Sequence, residues 1–195
     1  MRVISGSAKG RKLFSPEGEN TRPTTDRVKE SIFNTIRFFL PDAECLDLFA
    51  GSGQMGIEGL SAGAKKCAFI DISAESIELI KKNLKLTGFF EKSKVAQMDY
   101  KMFLQTTKDS FDVVFIDPPY NSTTSGKDDS DGDILFSALN LLTEKMNENG
   151  IAICEHEKKR TIPDIIMGKK GKFVLQKRYK YGTINVSAYN YKIGL

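Results

Sequence analysis

The chain has 195 residues and a mass of 21.8 kDa, enough for one domain with a sizeable core and a small appendage. Its 40% apolar content and mean hydropathy of −0.31 fit a soluble globular protein. No apolar run approaches the ~18 residues of a membrane span, and the opening Met1-Arg2-Val3-Ile4-Ser5-Gly6 lacks the apolar stretch of a signal peptide.

The cysteines Cys45, Cys67 and Cys154 lie singly in apolar runs, with no CxxC pair. They are expected as buried thiols in a reducing cytoplasm, neither disulfides nor zinc ligands. The net charge of +4 conceals a partition into segments of +4, −8 and +8. Residues 1–37 carry eight Lys/Arg against four Asp/Glu, residues 38–155 eleven against nineteen, and residues 156–195 ten against two. Two basic ends around an acidic centre point to a polyanionic partner such as nucleic acid.

In chain order, residues 1–23 read as a small basic β-hairpin or loose arm, preceding and separate from the fold over 24–195. Thr24 or Thr25 can cap a helix whose apolar face is Val28, Ile32, Phe33, Ile36, Phe39 and Leu40, and Pro41 ends it. A regular alternation follows. Strand Glu44–Ala50 leads to a helix near Met55–Ala62, and strand Lys66–Asp71 to helix Ala74–Thr87, closed by Gly88. Strand Val95–Met98 precedes a short helix, and strand Phe111–Asp117 precedes a polar loop over 121–133 expected to be flexible. Helix Ile134–Met146 feeds strand Gly150–Glu155, and Phe173–Gly182 with Thr183–Lys192 read as an antiparallel pair. Repeated strand–helix units predict an α/β, doubly wound parallel sheet.

Two loops carry the chemistry. Asp47-Leu-Phe-Ala-Gly51-Ser52-Gly53-Gln-Met-Gly56 has the GxGxxG spacing, and Asp71 lies twenty residues after Gly51. Glycines allow close backbone approach to a nucleoside cofactor, the helix N-terminus favours an anion, and Asp71 can hold a ribose diol. Asp47 favours S-adenosylmethionine (SAM) over NAD, because it puts a carboxylate where it can orient the loop and face the methionine ammonium, a charge NAD lacks. Asp99 can accept from an adenine amine or cap the next helix. Ile72 and Tyr100, which follow Asp71 and Asp99, join the expected cofactor set.

The second loop is Phe111-Asp-Val-Val-Phe-Ile-Asp117-Pro118-Pro119-Tyr120-Asn121. The prolines stop a buried strand and leave Asp117 at its carboxyl end, where open α/β sheets bind ligands. An exocyclic nucleobase amine is a poor nucleophile because its lone pair is delocalised. Two acceptors, the Asp117 carboxylate and the Pro118 carbonyl, can draw it toward a tetrahedral form, while Tyr120 offers a stacking face. Such a base has to be unpaired or flipped. Glu155 is placed to line the pocket, whereas His156, the only histidine, reads as a surface residue with a place near the site as the alternative. Arg2, Lys9, Arg11 and Lys12 in the arm, with Lys177, Arg178 and Lys180 in the last hairpin, are expected on RNA phosphates. No metal is expected.

The segments GRKL at 10–13, RPTTDRVKESIFN at 22–34, DLFAGSGQMGIEGLSAGA at 47–64 and FIDPPY at 115–120 occur in this order. This arrangement resembles the RsmD family, bacterial methyltransferases that modify guanine N2 in 16S ribosomal RNA. The resemblance implies a class I SAM-dependent methyltransferase with a Rossmann-like, seven-stranded sheet, last strand antiparallel, and an N-terminal β-hairpin. It implies Gly51, Ser52 and Gly53 at SAM, Asp71 at the ribose, Asp99 near the adenine, and Asp117, Pro118 and Tyr120 at the target amine. Arg22, Pro23 and Thr24 would close over the methionine end. The expected partner is 16S rRNA within the 30S subunit or an assembly intermediate, and the expected state is a cytoplasmic monomer. Adenine-N6 methylation of DNA or RNA is the alternative enzyme reading. A SAM- or RNA-binding module without turnover is a third.

Overall fold

The alternating pattern resolves into an open twisted sheet with helices on both faces. The computed structural model describes residues 1–16, 26–119 and 134–194. In chain order these form α1 (Asp26–Ile36), β1 (Glu44–Leu48), α2 (Gln54–Ser61), β2 (Lys66–Asp71), α3 (Ala74–Thr87), β3 (Ser93–Gln97), α4 (Tyr100–Thr106) and β4 (Phe111–Ile116). Then come α5 (Ile134–Leu142), β5 (Met146–Glu157), β6 (Ile165–Met167), β7 (Gly171–Tyr181) and β8 (Ile184–Ile193). The strand order is β3-β2-β1-β4-β5-β8-β7-β6. Strands β1 to β5 pair in parallel, and β8 enters antiparallel between β5 and β7. The order turns back between β1 and β4, so the loops leaving these strands flank a crevice at the sheet's carboxyl edge.

The central strands are mostly apolar because both of their faces are covered, with Asp47 as a buried exception in β1. Along β4, Val113 and Phe115 join the layer under α1, α2 and α3, with Ile32, Phe33, Ile57 and Ile80. Val114 and Ile116 join the opposite layer, with Leu104, Leu139 and Leu142 of α4 and α5. Cys45, Cys67 and Cys154 are buried free thiols inside these layers, and burial pushes all three up in pKa.

The structure departs from the sequence reading at several points, and α1 already ends at Ile36, before Pro41. An eighth, three-residue strand, β6, extends the expected seven by pairing with β7 at the edge. Helix α5 stops at Leu142, not Met146, because the Lys145 carbonyl accepts the Phe111 N–H (2.8 Å) and Met146 pairs with Phe111. The sheet thus takes those residues from the helix. The arm, finally, is docked and not loose. Arg2 and Lys12 bridge antiparallel, and the Ser7 N–H and Ala8 N–H bond to the carbonyl and hydroxyl of Ser61 at the end of α2.

A buried ion pair fixes this docking. Lys29 of α1 is fully buried, and its ammonium donates to Glu58 of α2 (2.8 Å) and to the Arg2 carbonyl (2.5 Å). Glu58 in turn accepts the Ile4 N–H (2.9 Å). Arm, α1 and α2 therefore meet on one pair of charges whose hydrogen-bonding capacity is largely satisfied. Removing one partner strands the other charge in an apolar layer, which costs about 3–5 kcal/mol. Lys29→Met should lower unfolding stability by that amount in urea titrations, and Lys29→Met with Glu58→Leu should recover much of it. A neutral effect of the single change would show that the pair does not hold the arm.

Candidate active site

The glycine loop hangs from two carboxylates. Asp47 of β1 is buried and accepts the Gly56 N–H in the first turn of α2 (2.8 Å). Asp71, at the end of β2, accepts the Gly51 N–H (2.8 Å) with one oxygen and the Ser73 N–H (2.9 Å) with the other. Between these anchors the backbone is left-handed at Phe49 (φ 64°), Gly51 (φ 54°) and Gly53 (φ 76°), and Phe49 bears a side chain in a region that disfavours one. A Cβ on Gly56 would lie 2.4 Å from the Phe69 ring, so this glycine lets α2 press onto β2. A Cβ on Gly51 would meet nothing within 4 Å. Gly51 thus faces open space at the sheet edge, and Ile72, which follows its partner Asp71, is an apolar residue that is 71% exposed.

Asp117, Pro118 and Pro119 leave β4 at the same edge. Ile116 pairs with Cys154, which sets Asp117 beside Glu155 of β5. Asp117 keeps solvent-exposed surface although protein surrounds it, as expected on the floor of an open crevice. Desolvation, then the negative charges of Glu155 and Asp47, hold its carboxyl above the usual range, and the open surface tempers that shift. Burial likewise raises Asp47 to about 8, opposed by the Gly56 N–H and reinforced by Asp71. Pro118 is buried behind Asp117. Among the described residues, no Lys or Arg forms an ion pair with Asp47, Asp71 or Asp117. The cavity of about 190 Å³ between the arm and α1, lined by Ile4, Ser5, Glu30, Phe33, Asn34 and Arg37 among others, contains none of these groups.

Other expected site residues are distributed less simply. Asp99 caps α4, accepting from the Lys101 (2.8 Å) and Met102 (3.2 Å) N–H groups with one oxygen. Tyr100 is buried against the Phe49 ring, 5.1 Å between centroids, so it supports the glycine loop from below. Lys9, Arg11, Lys12, Lys177 and Lys180 are exposed. Arg2 is exposed but bonded to Asp26 (2.8 Å). Arg178 turns inward, donating to the Ile162 carbonyl (2.8 Å) and Ser187 Oγ (3.2 Å), which makes it an anchor of the last hairpin. His156 is neither a surface residue nor part of the crevice. It is buried on the α4/α5 face of β5, with Nε2 2.9 Å from Ser187 Oγ, and burial holds its pKa down. Strand alternation placed it there, one residue out of phase with Glu155. Arg22, Pro23, Thr24, Tyr120 and the loop 121–133 lie outside the described residues.

Two residues that the sequence reading passed over complete the loop. Asn83 of α3 is fully buried. Its amide donates to the Ser52 carbonyl (2.9 Å) and the Phe14 carbonyl (3.1 Å), and its oxygen accepts the Phe14 N–H (2.8 Å). Met1 Sδ accepts from Ser52 Oγ (3.4 Å). The arm, which precedes the fold in the chain, therefore touches the glycine loop directly. The signal for Asn83 was present, since it is a polar residue on the apolar stripe of Ile77, Ile80 and Leu84.

The fold and the carboxyl-edge loops define the class I SAM-dependent methyltransferase fold, Rossmann-like with its last strand inserted antiparallel. Residues 1–190 match the family described as Conserved hypothetical protein 95, the RsmD family, and the chain belongs to it. The chain is 37% identical to YlbH of Bacillus subtilis (strain 168) over 194 residues, covering 97% of this chain and 98% of that one. It is 36% identical over 167 residues to ribosomal RNA small subunit methyltransferase D of Haemophilus influenzae (strain Rd), covering 83% and 81%. The solved structure of yhhF from Escherichia coli superposes with a TM-score of 0.82 at 29% identity, covering 100% of this chain and 99% of that one.

The raised pKa of Asp47 has a testable consequence. A carboxyl that titrates near 8 in the folded chain and near ~3.9 when unfolded favours the folded state fully below about pH 4 and progressively less as pH rises toward 8. Asp47→Asn retains an acceptor for the Gly56 N–H but cannot titrate. Its urea midpoint should fall less than that of the parent protein between about pH 5 and pH 8, and parallel curves would exclude Asp47 as the titrating group.

Proposed function

We propose that this protein is a SAM-dependent methyltransferase that modifies the N2 amine of a guanine in 16S rRNA, in the 30S subunit or an assembly intermediate. The observation that supports the reading is the row of carboxyl groups Asp47, Asp71 and Asp117, which have no Lys or Arg partner among the described residues, set around an open glycine loop with an exposed apolar Ile72 following Asp71. A dinucleotide such as NAD brings phosphates, for which none of these carboxyl groups supplies a counter-charge. A ligand with a sulfonium and an ammonium brings the positive charge that the edge lacks, and its adenosine offers a diol to Asp71 and a flat ring to Ile72. The name of the Haemophilus influenzae relative supports ribosomal RNA of the small subunit as the substrate class.

Bound SAM supplies a methyl group activated by a positively charged sulfur. The chain's own part is to hold the acceptor amine. The Asp117 carboxylate and the Pro118 carbonyl each accept one N–H of the amine, which frees its lone pair from the ring. As the nitrogen forms its fourth bond it becomes cationic, and the excess proton passes to Asp117. Desolvation and the charges of Glu155 and Asp47 make Asp117 a stronger proton acceptor than an ordinary aspartate. Burial of Pro118, with proline following at 119, fixes the peptide carbonyl that completes the pair.

Nucleosides of 16S rRNA from a deletion strain, analysed by mass spectrometry, should lack one N2-methylguanosine, and the purified protein with SAM should restore it. Loss of N6-methyladenosine instead would overturn the assignment of the amine. Asp117→Ala should bind SAM normally while single-turnover methylation slows on the order of 10²–10³-fold. Asp71→Ala should weaken SAM by ~1–3 kcal/mol. Because a cationic ligand drives the Asp47 carboxyl to ionise, SAM binding near pH 7 should release protons. Calorimetric enthalpies in buffers of different ionisation enthalpy should differ accordingly, and identical enthalpies would argue against cation binding at this edge.

A further inference from the structure

The β7–β8 hairpin carries a second feature on the crevice side of the sheet. Glu155 pairs with Val186, and Val186 with Tyr179, so a single cross-strand row leads from the Asp117 position through β5 and β8 to β7. At ~4.8 Å per strand this places Tyr179 about 14 Å from Asp117. The rings of Tyr179 and Tyr181 stack with centroids 6.2 Å apart and planes 11° from parallel, and Lys177 Nζ lies 4.7 Å from the Tyr179 centroid. Tyr179 is held by a hydroxyl hydrogen bond to Thr35 of α1. The Lys177–Tyr179–Tyr181 ladder then ends at the turn Gly182–Thr183, where both residues are exposed and Gly182 (φ 55°) has no side chain to cover the last ring. The Thr183 carbonyl accepts the Lys158 N–H (2.9 Å), which brings the exposed Lys158 and Lys159 to the same corner.

Lys177 lies against the Tyr179 ring and has no acidic partner among the described residues. Among the described residues, Lys158, Lys159, Lys177 and Lys180 make no ion pair, and of the two acids in residues 156–195, Asp164 lies 3.5 Å from Arg178. Unpaired cations around a partly exposed, parallel aromatic stack match a strand of phosphates with unstacked bases, which needs both a positive track and a π-face. An acidic protein surface would use the lysines and leave the rings idle.

We infer that Tyr181, supported by Tyr179, is a stacking platform for an unpaired RNA base flanking the target nucleotide, with Lys177 and its neighbours on the adjoining phosphates. This rests on the proposed RNA substrate and extends it to the strand beside the reacting base.

The test is equilibrium binding of oligoadenylate, and of an abasic ribose-phosphate strand of equal length, without methyl donor. Tyr181→Ala should weaken oligoadenylate about 5- to 100-fold, leave the abasic strand unchanged, and keep SAM affinity, which shows that the variant is folded. Tyr181→Phe should bind like the parent protein. The log–log salt slope should be unaltered in Tyr181→Ala, whereas Lys177→Ala should reduce it by ~0.7. Equal oligoadenylate affinity for Tyr181→Ala and the parent protein, or an equal loss on the abasic strand, would overturn the platform while leaving rRNA methylation standing. Intact stacking in a protein that fails to methylate rRNA would instead strike the proposed reaction.

Discussion

One hydrogen bond organises the crevice. The Asp47 carboxylate leaves the middle of the sheet and accepts the Gly56 N–H, so the strand that ends below the ligand also fixes the helix that begins above it. A buried carboxylate with no cation is costly, and the cost appears as its raised pKa. An apolar residue at this position would pack more cheaply, but it would leave the Gly56 N–H without its acceptor and the loop without its tether. The left-handed Phe49, Gly51 and Gly53 persist because both ends of the loop are tied, at Asp47 and at Asp71. Strain and uncompensated charge are thus concentrated at one edge of an otherwise conventionally packed sheet.

The same loop is held from a third side by the arm. The buried Lys29–Glu58 pair draws residues 2–4 onto α2, and Asn83 joins Phe14 to the Ser52 carbonyl. A basic segment with exposed Lys9, Arg11 and Lys12 therefore shares hydrogen bonds with the glycine loop. The arm is thus coupled to the cofactor loop through the buried Asn83, the Lys29–Glu58 pair and the Met1–Ser52 contact.

Much of this was legible in the sequence, for identifiable reasons. The strands were readable because burial on both faces makes them mostly apolar, and Asp117 because two prolines in a row cannot continue a central strand. Asp71 was readable from its spacing to Gly51, a local matter of one strand–helix–strand unit. The contacts that escaped join residues far apart in the chain, such as Ile4 with Glu58 and Phe14 with Asn83, where pattern carries no information about the partner. Lys29 and Asn83 were still marked, each as a polar residue on an apolar helical stripe, and a polar group there needs a buried partner. Arg178 and His156 show the opposite failure. Their charge or rarity suggested function, whereas strand alternation turns both toward Ser187 in the interior.

The charge partition along the chain acquires a spatial meaning in the fold. The acidic middle segment supplies Asp47, Asp71, Asp117 and Glu155 to one sheet edge, where β1, β2, β4 and β5 end together. The basic last segment supplies β7 and β8, which continue that edge away from the carboxylates. A polyanion would be repelled by the crevice itself and drawn to its basic border. Only an extruded base, which carries no charge, could enter among the carboxylates while its phosphates remain outside. Separating the two signs of charge by a few strand widths is the arrangement that the proposed reaction requires, with an uncharged base at the floor of the crevice and its phosphates on the basic border.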